Sequence, residues 1–228
     1  MGGHTDRLEE TPMRRVLADL WETISDSPFP GLTTHAYLWT SNRNVLFYSV
    51  ASDAEFDDFE RLGGIDHQYL SHQDEAGPQL GAISERFGAT LHAPAAEANR
   101  IGGHARIGVA VADRHIDDNG VEVIPTPGHS PGSTSYLATG ADGDRYLFTG
   151  DTLYRNASGR WTAGYLPGIS DADQLEASLE LLGTLDPDVV ISSAYAGDSA
   201  VHRVDASTWS ADVAEAALGV RAAVDRQA

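Results

Sequence analysis

Short apolar runs of strand length constrain this chain most. Some are joined as hairpins and others are separated by helical segments. Residues 35–40 (HAYLWT) and 44–50 (NVLFYSV) read as strands flanking the turn Ser41-Asn42-Arg43. Phe56, Phe59 and Leu62 recur every three residues and mark a short helix over 53–62. HQYLSH at 67–72 and ATLHAP at 89–94 read as strands on either side of a helix at 77–88. Three more strands follow at 121–128, 134–140 and 145–151, with turn signals at Asp118-Asn119-Gly120 and over 141–144. Residues 171–185 form the clearest amphipathic helix, with Ser170 as the expected N-cap. VVISSAY at 189–195 reads as one buried strand, and 210–228 as an alanine-rich helix. Leu8, Val16, Leu17, Leu20 and Trp21 give residues 6–24 a helical pattern. Hairpins mixed with strand–helix alternation favour a layered α/β protein over a purely doubly wound sheet.

The 228 residues, 41% of them hydrophobic, suffice for a substantial core. No apolar stretch is long enough for a membrane span, and the first fifteen residues lack the apolar core of a secretory signal. There is no cysteine, which excludes disulfides, thiolate metal sites and a cysteine nucleophile. The chain carries 34 acidic and 15 basic residues, a formal charge of −19, and every basic residue is arginine. Such a surface repels nucleic acid and anionic membranes. Its self-repulsion fades in molar salt, where the screening length falls to about 3 Å. The expectation is a salt-adapted, halophilic, cytoplasmic protein with no nucleic-acid or membrane partner.

Three segments end a strand with a residue able to bind a metal: Leu70-Ser71-His72-Gln73-Asp74-Glu75, Pro125-Thr126-Pro127-Gly128-His129-Ser130-Pro131-Gly132, and Phe148-Thr149-Gly150-Asp151. A strand end followed by a tight turn presents its side chain from a stiff support. The prolines around Gly128-His129 restrict the loop that holds the imidazole. Imidazoles and carboxylates converging from separate strand ends suit a divalent cation.

TPGHSPGSTSYL followed by YLFTGDTL resembles the third and fourth motifs of the metallo-β-lactamase superfamily, and the resemblance runs from about Thr34 to Gly197. It implies a four-layer αββα sandwich of two mixed β-sheets flanked by helices. The expected organisation is one domain over 1–228, with a helical extension over 1–30 and a C-terminal helix over 205–228.

The departures from the family pattern are informative. Laid without a gap on the usual L-T-H-x-H-x-D-H-x-G motif, the chain keeps the first histidine as His72 and has Asp74 at the second. Ala76 and Gly77 fill the positions of the aspartate and the last histidine. A gapped alternative sets His72 on the second histidine, Asp74 on the aspartate and Glu75 on the last histidine. Where the fifth motif carries a histidine, this chain has Ala194, Tyr195 and Ala196, with His202 further on as a distant substitute. In the ungapped reading, every ligand belonging to the second metal alone is lost. His72, Asp74, His129 and Asp151 are left to hold one divalent metal, with zinc first and iron or manganese nearly as well suited.

The resemblance implies hydrolysis of an ester or thioester by a metal-activated water. Asp74 or Glu75 would carry the proton, and Tyr195 would donate to the oxyanion. The alternative is a metal-free, catalytically silent binding protein of the same fold. In that case His72 is a satisfied strand-end residue, Asp74 and Glu75 cap the helix near Gly77, and Asp151 is a turn residue. His67, His92, His104 and His115 read as surface or packing residues. The aromatics Tyr154, Trp161 and Tyr165 read as packing for a loop over 152–169.

Overall fold

The computed structural model describes residues 13–196 and 199–226. In chain order the first strands are β1 (Arg14–Arg15), β2 (Leu20–Glu22), β3 (Asp26–Phe29), β4 (Leu32–Thr34), β5 (Tyr37–Thr40) and β6 (Asn44–Phe47). Helix α1 (Phe56–Arg61), β7 (His67–Tyr69), α2 (Gln79–Phe87), β8 (Thr90–Pro94), α3 (Ala98–Ile101) and β9 (Val109–Val111) follow. The second half holds β10 (His115–Ile116), β11 (Glu122–Pro125), β12 (Thr134–Thr139), β13 (Arg145–Gly150), β14 (Leu153–Arg155) and β15 (Trp161–Ala163). It ends with α4 (Ala172–Gly183), β16 (Val189–Ser192), β17 (Ala194–Tyr195), β18 (Val201–Arg203) and α5 (Trp209–Asp225).

Two mixed sheets face each other. The first runs β1-β2-β5-β6-β7-β8-β9 and the second β10-β11-β12-β13-β16-β18. Pairing from β6 through β9 is parallel, because helices connect those strands, while the hairpins at β5–β6 and β11–β12–β13 are antiparallel. Alternation along each strand sorts the side chains. Tyr136, Phe148 and Ile191 point between the sheets, and Leu137, Leu147 and Val190 point at α4 and α5. Phe47 stacks on Phe148 at 3.7 Å between centroids, and Tyr136 Oη donates to the Leu70 carbonyl at 2.6 Å. Leu70, Leu91 and Ala93 pack under Leu80 of α2 and Ile101 of α3 on the outer face of the first sheet. The expected αββα layering is thus present.

Four local expectations are corrected. Residues 13–30 carry β1, β2 and β3 instead of a helical extension; residues 1–12 lie outside the described residues. The spacing of Leu17, Leu20 and Trp21 mimics a helix, yet β2 pairs with β5 and buries Leu20 and Glu22 while Trp21 stays half-buried. The 189–195 segment is two strands. β16 belongs to the second sheet, and the chain then turns at Ser193 so that β17 pairs with β4 in a small sheet, β17-β4-β3. The 152–169 loop holds the hairpin β14–β15. Finally, the α4 N-cap is Asp171, whose carboxylate accepts from Gln174 N at 3.0 Å. Ser170 donates instead to the His129 carbonyl.

Candidate metal centre

His72 leaves the end of β7 and enters a 3₁₀ turn over Gln73–Glu75. That turn folds Glu75 back, so that its carboxylate accepts from Ser71 N at 2.8 Å and from Ser71 Oγ. Ser71 Oγ in turn lies 2.9 Å from His72 Nδ1, and Glu75 Oε1 is 3.4 Å from the same nitrogen. With its hydroxyl proton given to Glu75, Ser71 Oγ accepts from Nδ1–H. This leaves His72 Nε2 facing inward, where it is buried and has no hydrogen-bond partner.

His129 is held in the same manner from another loop. Its Nδ1 lies 2.6 Å from the Gly164 carbonyl, which can only accept, so Nδ1 carries the proton and Nε2 is the free nitrogen. Gly128, at φ 132°, lets the loop press on α4, since a Cβ there would sit 2.2 Å from Leu175 N. The His72 and His129 rings meet edge to face at 4.9 Å. Asp151 follows β13 through Gly150, whose lack of a Cβ makes room for Ser71 Oγ. Ser193 Oγ donates to Asp151 Oδ1. Asp151 Oδ2 is thereby turned inward, 3.6 Å from His72 Nε2 and 3.8 Å from His129 Nε2. Asp74 completes the group. One ligand atom from each of His72, Asp74 and His129 lies within 4.8 Å of the others. The Asp74 side chain is half-exposed and pairs with Arg100 at 3.2 Å.

Burial alone would lower the His72 pKa, but Asp151 and Glu75 outweigh it and push the imidazole up to about 9. The pocket therefore favours positive charge at Nε2. Two inward nitrogens fixed from behind, one of them buried and unpartnered, and an inward carboxylate oxygen fit a divalent cation.

Behind the ligand loops lies Glu97, a buried carboxylate that no local sequence pattern marks. Its oxygens accept from Gln73 N at 2.7 Å and Gly132 N at 3.0 Å, tying the loop of His72 to the loop of His129.

Three expected roles are placed differently. The Tyr195 hydroxyl lies 3.1 Å from His35 Nε2, and the two rings stack at 5.6 Å. His35 Nδ1 faces the Thr23 carbonyl at 2.8 Å, so its Nε2 accepts from Tyr195; this hydroxyl is engaged by His35, and Ser193 is the residue that reaches Asp151. Glu75 neither caps α2, whose N-cap is Pro78, nor presents a free carboxylate. His202 sits on β18 opposite Val190, edge-on to Trp161, and is not part of the group around Asp151.

Residues 63–194, more than half of the chain, match the metallo-beta-lactamase superfamily. The chain belongs to this superfamily. Among curated proteins, this metallo-β-lactamase-fold chain is 34% identical over 137 residues to a hydroxyacylglutathione hydrolase of Acidiphilium cryptum, covering 58% of the chain and 51% of that protein. It is 30% identical over 130 residues to a probable metallo-hydrolase of Methanocaldococcus jannaschii, covering 57% and 52%. The chain thus spans about half the length of the curated relatives it matches. Among solved structures, a Cronobacter sakazakii metallo-β-lactamase with a HARLDQ motif superposes with a TM-score of 0.68 at 17% identity, covering 95% of this chain and 94% of that one. The metallo-β-lactamase MIM-1 of Novosphingobium pentaromativorans gives 0.65 at 15% identity, covering 95% and 92%. These similarities confirm the sandwich fold.

Proposed function

We propose that this chain is a hydrolase of a small ester or thioester whose single divalent cation is held by His72, His129 and Asp151, with Asp74 at the open side. The observation that carries this reading is the buried, unpartnered Nε2 of His72 aimed at Asp151 Oδ2 beside the free Nε2 of His129. The relatives named hydroxyacylglutathione hydrolase support thioester chemistry. When bound, such a cation (zinc first, iron or manganese next) polarises a carbonyl and acidifies water.

The chain's own groups do the rest. Glu75, through Ser71, keeps the His72 proton on Nδ1, and the Gly164 carbonyl does the same for His129. Ser193 fixes Asp151 with Oδ2 inward. Asp74, half-exposed beside the histidines, moves the proton to the leaving group. Ala76 and Gly77 offer no side-chain ligand, which supports one metal instead of two.

The charge of −19 without lysine supports a salt-rich cytoplasmic setting, so assays belong in molar potassium chloride. Chelation of protein purified in that salt is expected to abolish hydrolysis of simple thioesters, and one equivalent of zinc to restore it. Full turnover by metal-free protein would reject the reading.

A further inference from the structure

The cavity beside the candidate centre has about 540 Å³, enough for a small organic molecule. One end is the centre itself. Away from the centre the lining includes the apolar side chains Ile24, Leu32, Val50, Ala76, Pro78 and Leu166, with Thr23, Asp26, Thr34, Ser49 and Gln79 among the polar ones. The β3–β4 hairpin and the segment after β15 both contribute to the lining. Outside the two histidines of the candidate centre, the charged lining is acidic: Asp26, Asp74, Glu75 and Asp151 line the cavity, and burial lowers the pKa of His35. Among the described residues, no arginine lines the cavity, and the chain has no lysine. Arg100 pairs with Asp74, which is itself a lining residue.

We infer that the substrate is an ester or thioester with an apolar acyl chain and a leaving group free of carboxylates, which excludes glutathione thioesters. This rests on the hydrolase reading and deepens it. Glutathione carries two carboxylates, and a cavity that binds it needs cationic partners or several donors aimed at them. Here those carboxylates would enter a wall that already holds acidic side chains, and like charges meeting in a partly desolvated site strongly disfavour binding. A methylene chain, in contrast, gains affinity from each group it removes from water against the apolar lining, by about fourfold per methylene.

The test needs no variant and no turnover. Non-hydrolysable thioethers of two heads, N-acetylcysteamine and glutathione, each carrying S-methyl, S-butyl or S-hexyl chains, are titrated calorimetrically into the purified metal-loaded protein at 0.5 and 2 M potassium chloride. The expected result is affinity that climbs with chain length for the neutral head. At equal chain length the neutral head binds tighter by at least about tenfold, with a smaller gap at the higher salt. Equal or tighter binding of the glutathione series, or no dependence on chain length, overturns the inference. Turnover of the matching hexanoyl thioesters is followed separately. Metal-dependent cleavage that favours the glutathione ester would sink this substrate class while leaving the hydrolase reading intact. The expected binding order with no turnover would sink the hydrolase reading alone.

Discussion

Two histidine clusters grow from the same strand, five residues apart, and only one has the makings of a metal site. At its start, His67 Nδ1 lies 2.9 Å from His92 Nε2, and Arg43 reaches His67 Nε2 at 3.3 Å. His92 stacks on Tyr69 at 4.0 Å, and Tyr69 Oη is held by Asp117 and Asn119. The nitrogens that face each other are bonded to each other. Just past the strand's end, His72 and His129 each have one nitrogen held from behind and one facing a carboxylate. The electrostatics diverge accordingly. Burial and neighbouring His67 push His92 down to about 4, whereas Asp151 and Glu75 overcome the burial of His72 and push it up to about 9. The number of imidazoles does not separate the clusters. The direction of the free nitrogen and the sign of its neighbours do.

The contrast can be broken most sharply by swapping which cluster is damaged. His129→Ala is expected to lose the metal and bring chelator-sensitive hydrolysis to background, a fall of at least about 10³-fold. His92→Asn is expected to retain both metal and turnover. Metal analysis with a thioester assay reads both.

The next effect concerns acid stability. His92 has its folded-state pKa depressed below the ordinary value, so the fold favours the neutral ring. Its contribution is fully present above pH about 6.5 and is lost as the pH falls through about 4, amounting to at most about 3 kcal/mol. Denaturant melts between pH 7.5 and 4 should therefore show a steeper loss for the natural chain than for His92→Asn. Parallel slopes would remove the His67–His92 pair from the account.

Glu97→Ala cuts both backbone contacts that tie the ligand loops, and metal affinity should weaken by about 10- to 100-fold, with Glu97→Gln intermediate. Competition against a chromophoric chelator measures this. The smallest effect is expected for Ser193→Ala, which frees Asp151 to turn and should weaken metal binding by about tenfold or less, with no change in melting temperature beyond a few degrees.

The features legible in the sequence are local ones. Gly128-His129 between prolines and Gly150-Asp151 after an apolar strand announce strand ends with ligand-type residues, and both stand where that pattern implies. Residues whose role depends on distant pairing were not legible. Ser193 matters because the chain changes sheets at that point, and VVISSAY reads through the change as one buried run that does not mark it. Tyr195 occupies the expected strand end but meets His35, 160 residues away in sequence. Glu97 lies in an alanine-rich stretch, and its partners, Gln73 and Gly132, come from two other loops. The apparent helix before residue 24 is a case of tertiary pairing overriding local periodicity, since β2 is recruited to the edge of β5.

The central claim is a lone cation between His72, His129 and Asp151, and the direct test is a crystal grown in molar potassium chloride with zinc and measured across the zinc edge. The account predicts one anomalous peak per chain, within bonding distance of both Nε2 atoms and Asp151 Oδ2, matched by one equivalent in elemental analysis. Two peaks at the site, or none there with the His72 ring turned to a protein partner, would contradict it.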